Sequence, residues 1–180
     1  MVLAVGELSE LDYDLEYSSS LNDLIEDFYL PVLGKAVTYD RAAGFFSSAI
    51  FWAIETTLCD FVARGGRIRI ICSPRLSATD RDALLSGIED KRVSSQTLES
   101  ALQGELSQWD DSFGSRAPSS LLRRLVASGS LEMKFAVPRT GDGMFHDKYG
   151  IFRDDSRNAI AFTGSLNESL SGWTAYGSGN

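Results

Sequence analysis

Apolar residues change their spacing several times along this chain, and each change marks an element. Leu21, Leu24, Ile25 and Phe28 recur at helical intervals behind Ser20-Leu21-Asn22-Asp23, a capping-box pattern. They predict a helix that stops or kinks near Pro31. Ala36-Val37-Thr38-Tyr39 reads as a strand, and Ser48 to Arg64 places Ile50, Phe51, Ile54, Leu58, Phe61 and Val62 as a mostly buried helix closed by Gly65-Gly66. Arg67 to Cys72 is short, apolar and β-branched, which predicts a buried strand ending at Ser73-Pro74.

A helix capped by Thr79 is expected over Asp80 to about Lys91, a second from Ser95 to about Asp110 and a third from Pro118, whose ring suits a first helical turn. Leu131, Met133, Phe135 and Val137 alternate with Glu132 and Lys134, the mark of a strand with one wetter face. Phe145 to Arg153 and Ala159 to Thr163 then read as a hairpin turning through Asp154-Asp155-Ser156-Arg157-Asn158. Strands alternating with helices predict an α/β fold with a mixed β-sheet flanked by helices.

The 180 residues are enough for one domain with its own core, so residues 1–180 are expected to form a single unit. The lead-in 1–17 has no period and reads as an acidic arm. The glycine-rich ending Gly177-Ser178-Gly179-Asn180 suggests the N-terminal part of a longer protein. No stretch has signal-peptide or membrane-span character, and Cys59 and Cys72 lack metal-ligand spacing, so buried free thiols and a cytoplasmic location are expected.

The net charge of −8 argues against nucleic acid until its distribution is considered. Residues 1–34 hold 8 of the 25 acids and no Lys or Arg, which leaves 17 acids against 17 bases elsewhere. Between Phe113 and Arg157 eight bases face five acids, so a local basic surface can form there.

Within that region the only histidine, His146, stands two residues before Lys148, and Gly164-Ser165-Leu166-Asn167 follows in the partner strand. Residues two apart in a strand share a face, so an imidazole and an ammonium would project together, as would Ser165 and Asn167. A proton carrier or nucleophile, a fixed cation and two neutral hydrogen-bonding groups suit phosphoryl transfer without a metal or other cofactor. Arg41, Arg139 and Arg153 are further candidates to touch phosphate or nucleic acid.

His146-x-Lys148 followed by Gly164-Ser165-x-Asn167 resembles the signature of the phospholipase D superfamily, written HxK, four residues, D, then GSxN. Tyr39 to Ser47 and Gly65 to Ile71 resemble the phospholipase D-like domains that precede helicases in bacterial restriction and anti-phage proteins. That resemblance implies a metal-independent phosphodiesterase, foremost a DNA nuclease domain, acting through a phosphohistidine intermediate. His146, Lys148, Ser165 and Asn167 would be catalytic, with no cofactor. Because the superfamily's mechanism uses two histidines, it also implies a homodimer with a composite site. Two departures stand out. Arg153 occupies the position of the motif's acid, which leaves Asp154 or Asp155, or neither, to serve. The carboxylate expected about eleven residues past the asparagine is replaced by Ser178, with Glu168 and Asp147 as substitutes. A catalytically silent nucleic-acid-binding or dimerisation module is the alternative, and a phospholipase is disfavoured because no amphipathic membrane-binding stretch occurs.

Overall fold

Arg67–Cys72 alternates charged with apolar side chains, and in the computed structural model of the chain it forms β2, the second of five strands. The structure describes residues 6–18, 21–101, 118–137 and 145–169, the side chains of 92–101 excepted. The other strands are β1 (Thr38–Ala43), β3 (Leu131–Phe135), β4 (Tyr149–Arg153) and β5 (Ala159–Thr163). Their spatial order is β3-β2-β1-β4-β5. β1, β2 and β3 run parallel, whereas β4 is antiparallel to both β1 and β5. The sheet is therefore mixed.

The chain steps outward from β1 to β3 and then returns to the other side of β1 as β4. A reversal of that kind opens a crevice at the carboxyl end of the central strand, where open α/β sheets bind ligands. Antiparallel pairing sets the start of β4 and the end of β5 at that same end of the sheet.

Period-two burial decides which face is covered. Tyr39, Ile68, Ile70, Cys72, Leu131, Phe152 and Ile160 are buried in one core with residues of the helices. Tyr39 and Phe152, opposite each other in the ladder, stack at 4.2 Å between ring centroids. The other face carries Arg67, Arg69, Glu132, Lys134 and Tyr149, all exposed.

A π-helical turn, Ile25–Tyr29, runs straight into α1, Leu30–Lys35. The expected stop at Pro31 does not occur. Pro31 follows directly on the π-helical turn, whose i→i−5 pattern already departs from the ordinary ladder where the proline lacks an N–H. The single helix expected over Ser48–Arg64 is two: α2 (Ala49–Ala53) and α3 (Glu55–Ala63), broken where Ile54 leaves helical geometry. Gly65, at φ +84°, closes α3 in a left-handed conformation that other residues resist. α4 continues over Ala78–Ala101, through the gap expected between two helices, and α5 spans Pro118–Ala127. The remainder of the helix expected to Asp110 lies outside the described residues.

Two strand boundaries also move. β1 begins two residues later than expected and runs on to Ala43, through Asp40 and Arg41, because tertiary partners take up both charges. β4 begins at Tyr149 rather than Phe145, so His146 and Lys148 lie on the approach to the strand.

Candidate active site

Four segments meet at the carboxyl end of β1: residues 43–47, Ser73, the approach 145–148 and the loop 164–169. Gly44 is the hinge of this meeting. A Cβ placed there would lie 3.3 Å from both the Asn167 Oδ1 and the Phe145 carbonyl oxygen, and 3.4 Å from the His146 Cα. A side chain there would press each of these neighbours back by a few tenths of an ångström, so glycine lets the backbone before β4 and the asparagine approach β1 closely from two sides. Ser73, just past β2, donates its hydroxyl to the Phe145 carbonyl at 2.9 Å and holds the approach from a third direction.

His146 is exposed, whereas Lys148 is only 8 % exposed. The Lys148 ammonium donates to the His146 carbonyl at 2.9 Å and lies 3.0 Å from each ring nitrogen. The in-plane lone pairs of the two nitrogens diverge, and the position between them is filled by Cε1. An ammonium equidistant from both therefore packs against the ring rather than along either lone pair. No carboxylate among the described residues pairs with Lys148, although Thr163 and Gly164 donate to its carbonyl oxygen. A nearly buried cation with no carboxylate partner among the described residues can attract an anion.

Asn167 faces the same crevice. Its Oδ1 accepts the Phe45 N–H at 3.0 Å, so its amide NH2 is the end left to donate. Ser165 is exposed where the loop leaves β5, at one end of a groove of about 660 Å³. That groove lies between the β5 segment and arm residues 13–18.

The remaining sequence candidates are placed elsewhere. Glu168 is fully buried and turned away from the imidazole: its oxygens accept the hydroxyls of Tyr29 at 2.7 Å and Tyr39 at 3.1 Å, and the Arg41 Nε at 2.9 Å. Arg41 is thereby removed from any role as a surface phosphate contact. Burial first, and the neighbouring Glu168 charge second, hold both tyrosine hydroxyls well above their ordinary pKa, so both remain donors. Arg153 sits at the far end of β4 and pairs with Asp40 at 2.6 Å.

Asp154 does not join the site either. It follows the last residue of β4, roughly 20 Å along the strand from Lys148. There it accepts the backbone N–H groups of Leu8 and Asn158, both at 2.8 Å, and tethers the acidic arm to the turn. Burial opposes its ionisation, but the hydrogen bonds from Asn158 and Leu8 outweigh that and lower its pKa. Asp147 is exposed, and Arg139 and Ser178 lie outside the described residues. Among the described residues no three His, Cys, Asp or Glu side chains gather to hold a metal ion.

Sequence reading missed Gly44, Ser73, Tyr29 and Tyr39. Tyr39 was read there only as a strand residue and Tyr29 was not singled out, and nothing local reveals that their hydroxyls meet a glutamate 129 and 139 residues away.

An α/β domain with a histidine, a lysine and a GSxN loop at one end of its sheet defines a phosphate-handling protein of the phospholipase D type. The family model described as "Cardiolipin synthase, PLD-like domain" matches residues 33–177, and the chain belongs to that family. No curated protein and no solved structure matches it.

Proposed function

We propose that this phospholipase D-like chain is a metal-independent phosphodiesterase, specifically a DNA nuclease domain. In this reading it forms the N-terminal part of a longer bacterial helicase or anti-phage protein in the cytoplasm. The observation that carries the phosphodiester chemistry is the nearly buried Lys148 ammonium, without a carboxylate partner among the described residues, against an exposed imidazole. The choice of DNA rests on the resemblance to helicase-linked domains.

His146 attacks phosphorus through one ring nitrogen, and the bond to the leaving oxygen breaks as His146 of the partner subunit protonates that oxygen. Water then attacks the phosphorus of the phosphohistidine, breaking its P–N bond to release the His146 imidazole and giving up a proton to the imidazole that had acted as acid. Lys148 binds a non-bridging oxygen and offsets the charge that grows on it, and the Asn167 amide donates to the same oxygens. Ser165 lies beside them as a further donor. The chain's single histidine makes a two-fold homodimer with a shared site the natural form of this mechanism.

Plasmid DNA in EDTA tests the proposal: nicking should persist in chelator and vanish with His146→Ala, with acid-labile phosphate trapped on His146 of the intact protein. Cleavage that the variant retains would overturn it. Lys148→Ala should lower turnover by about 10²-fold, as loss of one preorganised donor does. Arg153 in place of the motif's acid, engaged with Asp40, favours a second reading as a silent binding module. Salt-dependent DNA binding without cleavage is its expected result.

A further inference from the structure

Arg41 grips the chain on both sides of Asn167. Its guanidinium donates to the Leu166 carbonyl and to the Glu168 carboxylate, the two residues that flank the asparagine. The same stretch is stitched to residues 45–47. Glu168 N–H donates to the Phe45 carbonyl at 3.1 Å, Ser47 N–H donates to the Glu168 carbonyl at 2.8 Å, and Phe45 N–H reaches the Asn167 side chain. Loop 166–168 is thus held by β1 from below and by the turn after β1 from the side.

Stability alone does not account for burying this pair. The side chains of Arg41 and Glu168 are 1 % and 0 % exposed, and the cost of drying two such charges commonly matches or exceeds their attraction. A hydrophobic pair of equal volume would hold the core as well. What the ionic cluster adds is direction. The guanidinium fork and the two tyrosine hydroxyls allow one placement of the Glu168 carboxylate, and through the backbone one placement of the residue before it.

We infer that Arg41 and Glu168, with Tyr29 and Tyr39, are positioning residues for Asn167. They act through the loop backbone and touch neither phosphate nor imidazole. The kinetic part of this inference rests on the phosphodiesterase reading, whereas its structural part does not.

The test is the combined variant Tyr29→Phe/Tyr39→Phe/Arg41→Met/Glu168→Leu, which swaps the whole cluster for apolar groups and leaves no orphaned hydroxyl. It should unfold cooperatively near the midpoint of the parent chain. Backbone amides of Phe45, Ser47 and Glu168 should nonetheless exchange at least tenfold faster with deuterium, while those of β2 stay protected. Turnover of bis(4-nitrophenyl) phosphate should fall by about tenfold or more in kcat with little change in KM, as misplacement of a catalytic donor predicts.

A folded variant with parental exchange and parental kcat would overturn the inference. Should the combined variant fail to fold, Arg41→Lys takes its place, because a lysine keeps the charge against Glu168 but loses the fork that spans residues 166 and 168. Faster exchange at the same amides with lower kcat is then expected, and parental values refute the inference. If the parent chain does not cleave the diester, the function proposal fails while the exchange measurement still decides the positioning role.

Discussion

Asp40 and Arg41 are neighbours on β1, and the pleat sends them to opposite faces of the sheet with opposite consequences. On the open face, Asp40 is held by Arg69 through two bonds of 2.6 and 2.7 Å and by Arg153 at 2.6 Å. The side chains of those arginines are 66 % and 41 % exposed. On the covered face, Arg41 meets a glutamate and both are sealed from water. Bond lengths are similar, yet solvent separates the two clusters. Water can replace any partner lost from the outer one, whereas nothing can replace a partner lost from the inner one.

The contrast is broken most sharply by Glu168→Ala, which strands the Arg41 charge in the core. A loss of roughly 3–5 kcal/mol, or failure to fold, is expected in urea unfolding. A parental midpoint would show that the guanidinium finds another acceptor. Asp40→Asn should cost about 1 kcal/mol or less by the same measurement, since exposed ion pairs contribute that little.

Asp40 also gives its face a pH signature. Burial opposes ionisation of its carboxyl, but hydrogen bonds from Arg69 and Arg153 outweigh it, and the folded-state pKa is lowered. A lowered pKa means that its stabilisation is complete above the ordinary carboxylate range and drains away as pH falls through the folded value. Unfolding midpoints should therefore decline less with acid in Asp40→Asn than in the parent. The smallest effect is that of salt. Raising ionic strength from about 0.15 M to about 1 M should shrink the Asp40→Asn cost and leave that of Glu168→Ala unchanged, because buried pairs are weakly screened.

The same two residues show what the sequence conveys and where it stops. β2 was legible because RIRIIC is short, apolar and β-branched, although its arginines leave one face exposed rather than buried, and β5 because Ala159–Thr163 follows an obvious turn. β1 was legible only at its start. A charged pair in mid-strand looks like an end until Arg69, Arg153 and Glu168 supply partners from distant positions. The motif residues His146, Lys148 and Asn167 were picked out by spacing and by resemblance, and the structure sets Asn167 and the His146 backbone beside Gly44, with the Lys148 ammonium against the His146 ring. Their setting was not. Which way Asn167 turns its amide, and why Glu168 faces inward, depend on contacts with residues 29 to 45. No local window contains those contacts. Asp154 was read as a turn residue with a reserve role in the site. Its turn role holds, while the length of β4 separates it from the imidazole.

The exposed position of His146 has a genetic corollary. If each working centre borrows its second imidazole from a twin, chains lacking that ring poison the intact ones by pairing with them. Activity in a mixed population would then follow the square of the intact fraction, dropping to about a quarter when the two kinds are equal and associate at random. One allele without the ring would thus disable more than its own share of enzyme.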